Sequence, residues 1–225
     1  MTTGQISKLG VLDLTSLQSV EELHGITSIE KVGVILIPEQ FVAALHTIPM
    51  QEVGGIMPIP KDLKIRVYTG QIRLTGDALA AGPEDTTLVI VGQCVICAPV
   101  TAIGYRDIRI CGQILIPEGG EAVIQAKLSQ LIGQTYAYPP GDVRMMVGEQ
   151  AEWDAAFLSA LPAPTTFVMI GSQLTVAKDI TTALLVEKVR RLICVGCQLK
   201  APQTVLPHIK ALAPDHTGSQ FVSFE

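Results

Sequence analysis

Glycine punctuates this chain at a mean spacing of about 21 residues, a period that marks stacked repeat architectures. The markers are Gly10, Gly33, Gly54, Gly70, Gly92, Gly112, Gly133, Gly148, Gly171, Gly196 and Gly218, most of them in apolar contexts. A longer period overlies the short one. The string Ile-Leu-Ile-Pro-Glu that follows Gly33 returns intact after Gly112. Gly54, Gly70 and Gly92 map onto Gly133, Gly148 and Gly171 at nearly the same shift of about 79 residues. The chain therefore reads as duplicated blocks at about 33–111 and 112–190, with terminal units 1–32 and 191–225.

A unit of this length cannot bury its own apolar face, but a stack of such units buries a continuous core. The segments before the markers read as strands. Leu88 and Ile90 alternate with Val89 and Val91 before Gly92, and Phe167 and Met169 with Val168 and Ile170 before Gly171. Both faces are apolar, as in a parallel sheet covered on both sides. Short helices are expected from Pro38–Glu39 to His46, over Glu121–Leu131, and from the acidic caps Asp154 (to Leu161) and Asp179 (to Val189). Strand and helix in alternation favour right-handed crossovers. The expected fold is α/β: a single-domain right-handed solenoid over 1–225, with a parallel β-sheet of about ten short strands and interspersed short helices. The alternative is an all-β parallel β-helix.

Composition narrows the function classes. Apolar residues make up 48% and charged residues 16%, with a mean hydropathy of +0.41. No apolar run reaches the roughly 18 residues of a spanning helix, and the first ten residues lack the apolar stretch of a signal peptide, so a cytoplasmic location is expected. The net charge is −5, and Lys188, Arg190 and Arg191 form the densest basic cluster. With aromatics at 4%, neither a basic stripe nor a stacking platform for nucleic acid is present.

One unit has the spacing of a known family. Val189-x-x-Leu192-x-Cys194-x-x-Cys197-x-Leu199 resembles the leucine-rich repeat, with Cys197 in its Asn/Cys slot. Partial versions surround Gly92, Gly112 and Gly171. The slot after the glycine holds Gln71, Gln93, Gln113, Gln134, Ser172 or Cys197. The resemblance implies protein binding on an exposed sheet face.

The chemistry-bearing residues are few. Cys94-x-x-Cys97 and Cys194-x-x-Cys197 have zinc-ligand spacing. A separation of three along a strand points side chains to opposite faces, however, and the two pairs sit out of register with their glycines, so buried structural thiols are expected. His24, His46, His208 and His216 stand at no metal or nucleophile spacing. Asp77, Asp107, Asp142 and Glu149 flank strands without forming a column. No cofactor and no catalytic set is implied. The expected function is non-enzymatic: a protein-binding module or scaffold, with Gln71, Gln93, Gln113 and Gln134 as the partner-binding slot. The alternatives are a self-assembling structural solenoid like the bactofilin polymers and a polysaccharide-active β-helix enzyme.

Overall fold

The computed structural model describes residues 4–61 and 63–225. The chain divides into two compact units, Met1–Thr135 and Tyr136–Glu225, and the division falls inside the second of the duplicated blocks. In place of one sheet of about ten short strands, the described residues form four sheets with fifteen strands, and every strand pairing with a defined register is parallel. None of the described helices is long and apolar enough to cross a membrane.

The first unit holds two stacks. One contains β1 (Gly4–Asp13), β2 (Ile26–Pro38), β3 (Met50–Val53) and β4 (Ile56–Ile59), with β2 pairing to all three others. Its core lies between the strands and their connections, and includes Ile29, Ile35, Phe41 and Leu45. The second stack is the sheet β5 (Lys64–Thr75), β6 (Thr86–Cys97), β7 (Asp107–Pro117) and β8 (Leu128–Tyr138), the last strand running past the division at Thr135. The alternation read around Gly92 assigns its faces. Leu88, Ile90, Cys94 and Ile96 point into the stack's own core, whereas Val89 and Val91 point away from it. That second face packs on Val34, Leu36, Met57 and Ile59 of the first stack, which explains the apolar character of both faces.

The second unit contains the sheet β9 (Val143–Val147), β11 (Thr165–Ile170) and β13 (Val189–Val195), and the sheet β10 (Gln150–Trp153), β12 (Gln173–Val176), β14 (Gln198–Pro202) and β15 (Gln220–Phe224). Its core is built on Trp153, Phe167, Met169, Leu185, Leu192 and Leu199.

The marker glycines do two different things. In β5, β6 and β7 the strand runs through Gly70, Gly92 and Gly112, which lie opposite one another in the ladder. A Cβ on Gly92 would strike the Gly70 carbonyl oxygen, and one on Gly112 the Gly92 carbonyl oxygen, so the strands approach only because this column has no side chains. In the second unit Gly148, Gly171, Gly196 and Gly218 are left-handed, with φ between +58° and +66°, and the strand breaks there into two. The sequence shift of about 79 residues therefore equates Gly92 with Gly171 although their backbones differ.

Among the described residues the α-helices are short, of four to seven residues each. Asp154 caps α4 (Ala155–Ser159), its Oδ1 accepting from Phe157 N at 2.6 Å. The helix expected over Glu121–Leu131 stops at Gln125 (α3, Glu121–Gln125), because residues from Leu128 onward pair with β7 as β8, and pairing overrides local propensity. The helix expected from Asp179 begins at Thr182 (α5, Thr182–Lys188) under a Thr181 cap, and Asp179 instead accepts from Ala155 N at 3.2 Å.

Candidate functional site: the glutamine ladders

Parallel in-register pairing turns a sequence period into a column of side chains about 4.8 Å apart. In the first unit Gln71, Gln93 and Gln113 face one another across β5, β6 and β7, and Gln134 follows Gly133, whose Cβ would meet Gly112. The slot read from the sequence is thus a physical row. Its members are unequally placed. Gln71 and Gln134 are exposed, while Gln93 and Gln113 are half-buried and the Gln113 Oε1 is buried without a hydrogen-bond partner.

A second row was missed by the sequence reading. Gln150, Gln173, Gln198 and Gln220 pair in register across β10, β12, β14 and β15. Three are exposed and Gln198 is half-buried. Among the described residues, none of these four carboxamides makes a hydrogen bond within the chain. The signal was present as Gly-x-Gln at Gly148, Gly171, Gly196 and Gly218. It is displaced by one residue from the Gly-Gln of the first unit because the left-handed glycine breaks the strand, and at Gly171 and Gly196 it turns the next side chain, Ser172 or Cys197, inward. Beside this row stands a second outward one, Glu152, Thr175, Lys200 and Val222. Shallow grooves run between the rows and over the glycine turns, bordered by Gln173, Thr175, Gln198 and Gln220.

At two of these turns a buried residue, Ser172 or Cys197, ties neighbouring strands together. Ser172 Oγ lies 3.0 Å from Met146 O and 3.1 Å from Ile170 O and accepts from Glu149 N at 3.3 Å. Cys197 Sγ lies 3.0 Å from Met169 O, and Cys197 N donates to Ser219 Oγ at 3.0 Å. Cys197 thus bonds the backbone of a neighbouring strand, as Ser172 does at its own turn.

All five cysteines are free thiols. Cys94 faces the core, where burial pushes its thiol up to about 12, and Cys97 faces outward, 3.8 Å from an Arg73 nitrogen. That pair obeys the opposite-face expectation. Cys194 and Cys197 do not: the left-handed Gly196 between them turns both into one core. A hydrogen bond to Cys197, with burial, raises the Cys194 thiol. Among the described residues no group of three His, Cys, Asp or Glu side chains is placed to hold a metal ion.

The remaining candidates lie apart. His24, His46 and His208 are exposed, and His216 Nδ1 lies 2.8 Å from Ala213 O. Asp77, Asp142 and Glu149 are exposed, whereas Asp107 accepts from Thr87 Oγ1 and pairs with Arg109 at 3.4 Å. Comparison of the chain with protein-family models, with curated proteins and with solved structures finds no match.

Proposed function

We propose that this chain is a non-enzymatic binding scaffold built of right-handed parallel β-solenoid coils, whose glutamine-lined face on β10, β12, β14 and β15 engages a protein partner. The reading is carried by one observation: the four carboxamides of Gln150, Gln173, Gln198 and Gln220 stand in register, three exposed and one half-buried, and among the described residues none makes a hydrogen bond within the chain. A carboxamide offers two N–H donors and an acceptor oxygen, so a row of four supplies a repeating set of donors and acceptors on a sheet whose backbone holds their spacing. Binding to such a face loses little entropy, because the strands are already ordered. Glu152 and Lys200 flank Thr175 and add charges of both signs at fixed positions.

The test is a comparison of captured partners. The wild-type chain and the double variant Gln173→Lys/Gln198→Lys are used as baits in extract of the native cells, with crosslinking before wash. Loss of specific partners from the variant, at unchanged thermal midpoint, supports the assignment. An identical partner set on both baits removes this face from consideration, and crosslinks only between copies of the chain would assign it to self-association.

A further inference from the structure

The stack β1–β4 has an end inside the chain, at β3 and β4, and its two halves are finished differently. On the β4 half the outer edge is closed. Ile56 O accepts from Gln130 Nε2 at 3.3 Å, Pro58 O accepts from Arg109 Nη1, and Ile132 stands against Gly55. On the β3 half nothing comparable is present among the described residues. Pro49 O accepts from Ile29 N and Gly54 N donates to Val32 O, so the alternation of a parallel ladder turns the Met50 N–H and C=O away from β2. Those groups look onto a groove of about 610 Å³ lined by Val42, His46, Met50, Glu52, Val53 and Ile56, with Gln130 as its far wall.

Burial shows that a layer is missing there. Ile29, Val32 and Ile35 are at most 1% exposed. The residues stacked on them, Met50, Val53 and Ile56, belong to the same core yet stay half-exposed. The three coils also define what the next layer looks like. Ile6, Ile29 and Met50 form an apolar column, and Leu9, Val32 and Val53 form another. Lys8, Lys31 and Glu52 lie between these columns, all left-handed with φ of 61°, 54° and 54°, and Gly10, Gly33 and Gly54 follow. The last charged member is an exposed carboxylate, so the complementary residue above it is a cation.

We propose that this groove is a docking site for an extended segment of a partner protein, which adds to β3 as one parallel strand with the pattern apolar–x–Lys–apolar–Gly. The occupant is a single strand and not another coil, because Gln130, Arg109 and Ile132 close the β4 half that a full coil needs. Backbone hydrogen bonds to Met50 provide general affinity, and the apolar columns together with Glu52 provide selection. The site uses none of the ladder glutamines and stands or falls separately from them.

The probe is a synthetic peptide with the sequence of residues 5–11, Gln-Ile-Ser-Lys-Leu-Gly-Val, labelled for fluorescence anisotropy against the full chain. Saturable binding is expected. Glu52→Lys weakens it about threefold or more, and the peptide carrying Glu in place of its Lys regains affinity for that variant. N-methylation of the peptide's Ser amide, which meets Met50 O in the continued register, abolishes binding without altering the protein. Absence of saturable binding up to millimolar peptide overturns the proposal. So does equal affinity for the N-methylated peptide, or peptide binding that Glu52→Lys leaves unchanged. Concentration-dependent dimers of the full chain that the peptide displaces would assign the groove to a second copy and overturn the single-strand reading.

Discussion

Replacing Gly112 by Ala places a methyl group against the backbone of the neighbouring strand. The residue lies at φ +137°, where an L side chain is strained, and its new Cβ meets the Gly92 carbonyl oxygen well inside van der Waals contact. That obstacle is backbone held in a ladder and cannot rotate away as a side-chain tip would. The conformational strain alone is of order 1–3 kcal/mol. Relief of the clash requires β6 and β7 to part locally, losing the two or so ladder hydrogen bonds around Gly92 at about 1 kcal/mol each. Together about 3–5 kcal/mol is expected, a large share of the roughly 5–15 kcal/mol that stabilises a domain. Gly10→Ala is the internal control. It has no atom within 4 Å of the new methyl and no left-handed φ, and it is expected to change stability by less than about 1 kcal/mol. Urea unfolding followed by circular dichroism gives the difference, and native-state hydrogen exchange localises it to β6 and β7. A Gly112→Ala chain within about 1 kcal/mol of wild type, with amide protection of these strands unchanged, would refute close backbone approach as the reason for this glycine column.

The turns of the second unit give two further expectations. Ser172→Ala leaves buried backbone groups without their hydroxyl partner and costs about 1–3 kcal/mol, read by chemical denaturation with the single Trp153 as reporter. Cys197→Ser puts the hydroxyl found at Ser172 and Ser219 into the same slot and stays within about 1 kcal/mol, whereas Cys197→Val, which cannot bond Met169 O, costs more in the same assay. The Cys94 thiol makes stability depend on pH in one direction. Its folded value of about 12 lies above the ordinary thiol value of 9.0, so the stabilisation is complete below pH 9 and is lost as pH rises from 9 toward 12. Urea midpoints measured across that range should fall more steeply for wild type than for Cys94→Val, and equal slopes would contradict the burial assigned to this thiol.

The parallel strands were legible because both faces of Leu88–Val91 and Phe167–Ile170 are apolar, a pattern that a solvated antiparallel sheet does not produce. The Gln71, Gln93 and Gln113 row was legible because a glycine and the residue after it keep a constant offset when the strand runs straight through. The row of Gln150, Gln173, Gln198 and Gln220 was not, since recognising it requires knowing that Gly148, Gly171, Gly196 and Gly218 are left-handed turns. The sequence has the same glycine at both kinds of site, and only the interstrand packing selects φ. The Cys194–Cys197 pairing inside one core escaped for the same reason. The groove at β3 was hidden because Met50, Val53 and Ile56 read as ordinary core residues. Gln130 and Arg109, distant in sequence, close the β4 half of the stack's end and leave the β3 half open.

The apolar contact between Val34, Leu36, Met57 and Ile59 on one stack and Val89 and its neighbours on the other has a mechanical consequence. A single stack of strands bends by opening the gaps between its layers on one side. Two stacks bonded face to face form a laminate, in which bending must also shear the seam. Stiffness then rises steeply with combined thickness, and interlocked apolar side chains resist slip along that seam. The first unit is thus a plank more than a spring. A segment that docks on it meets a surface that will not reshape itself, and any adjustment falls to the guest.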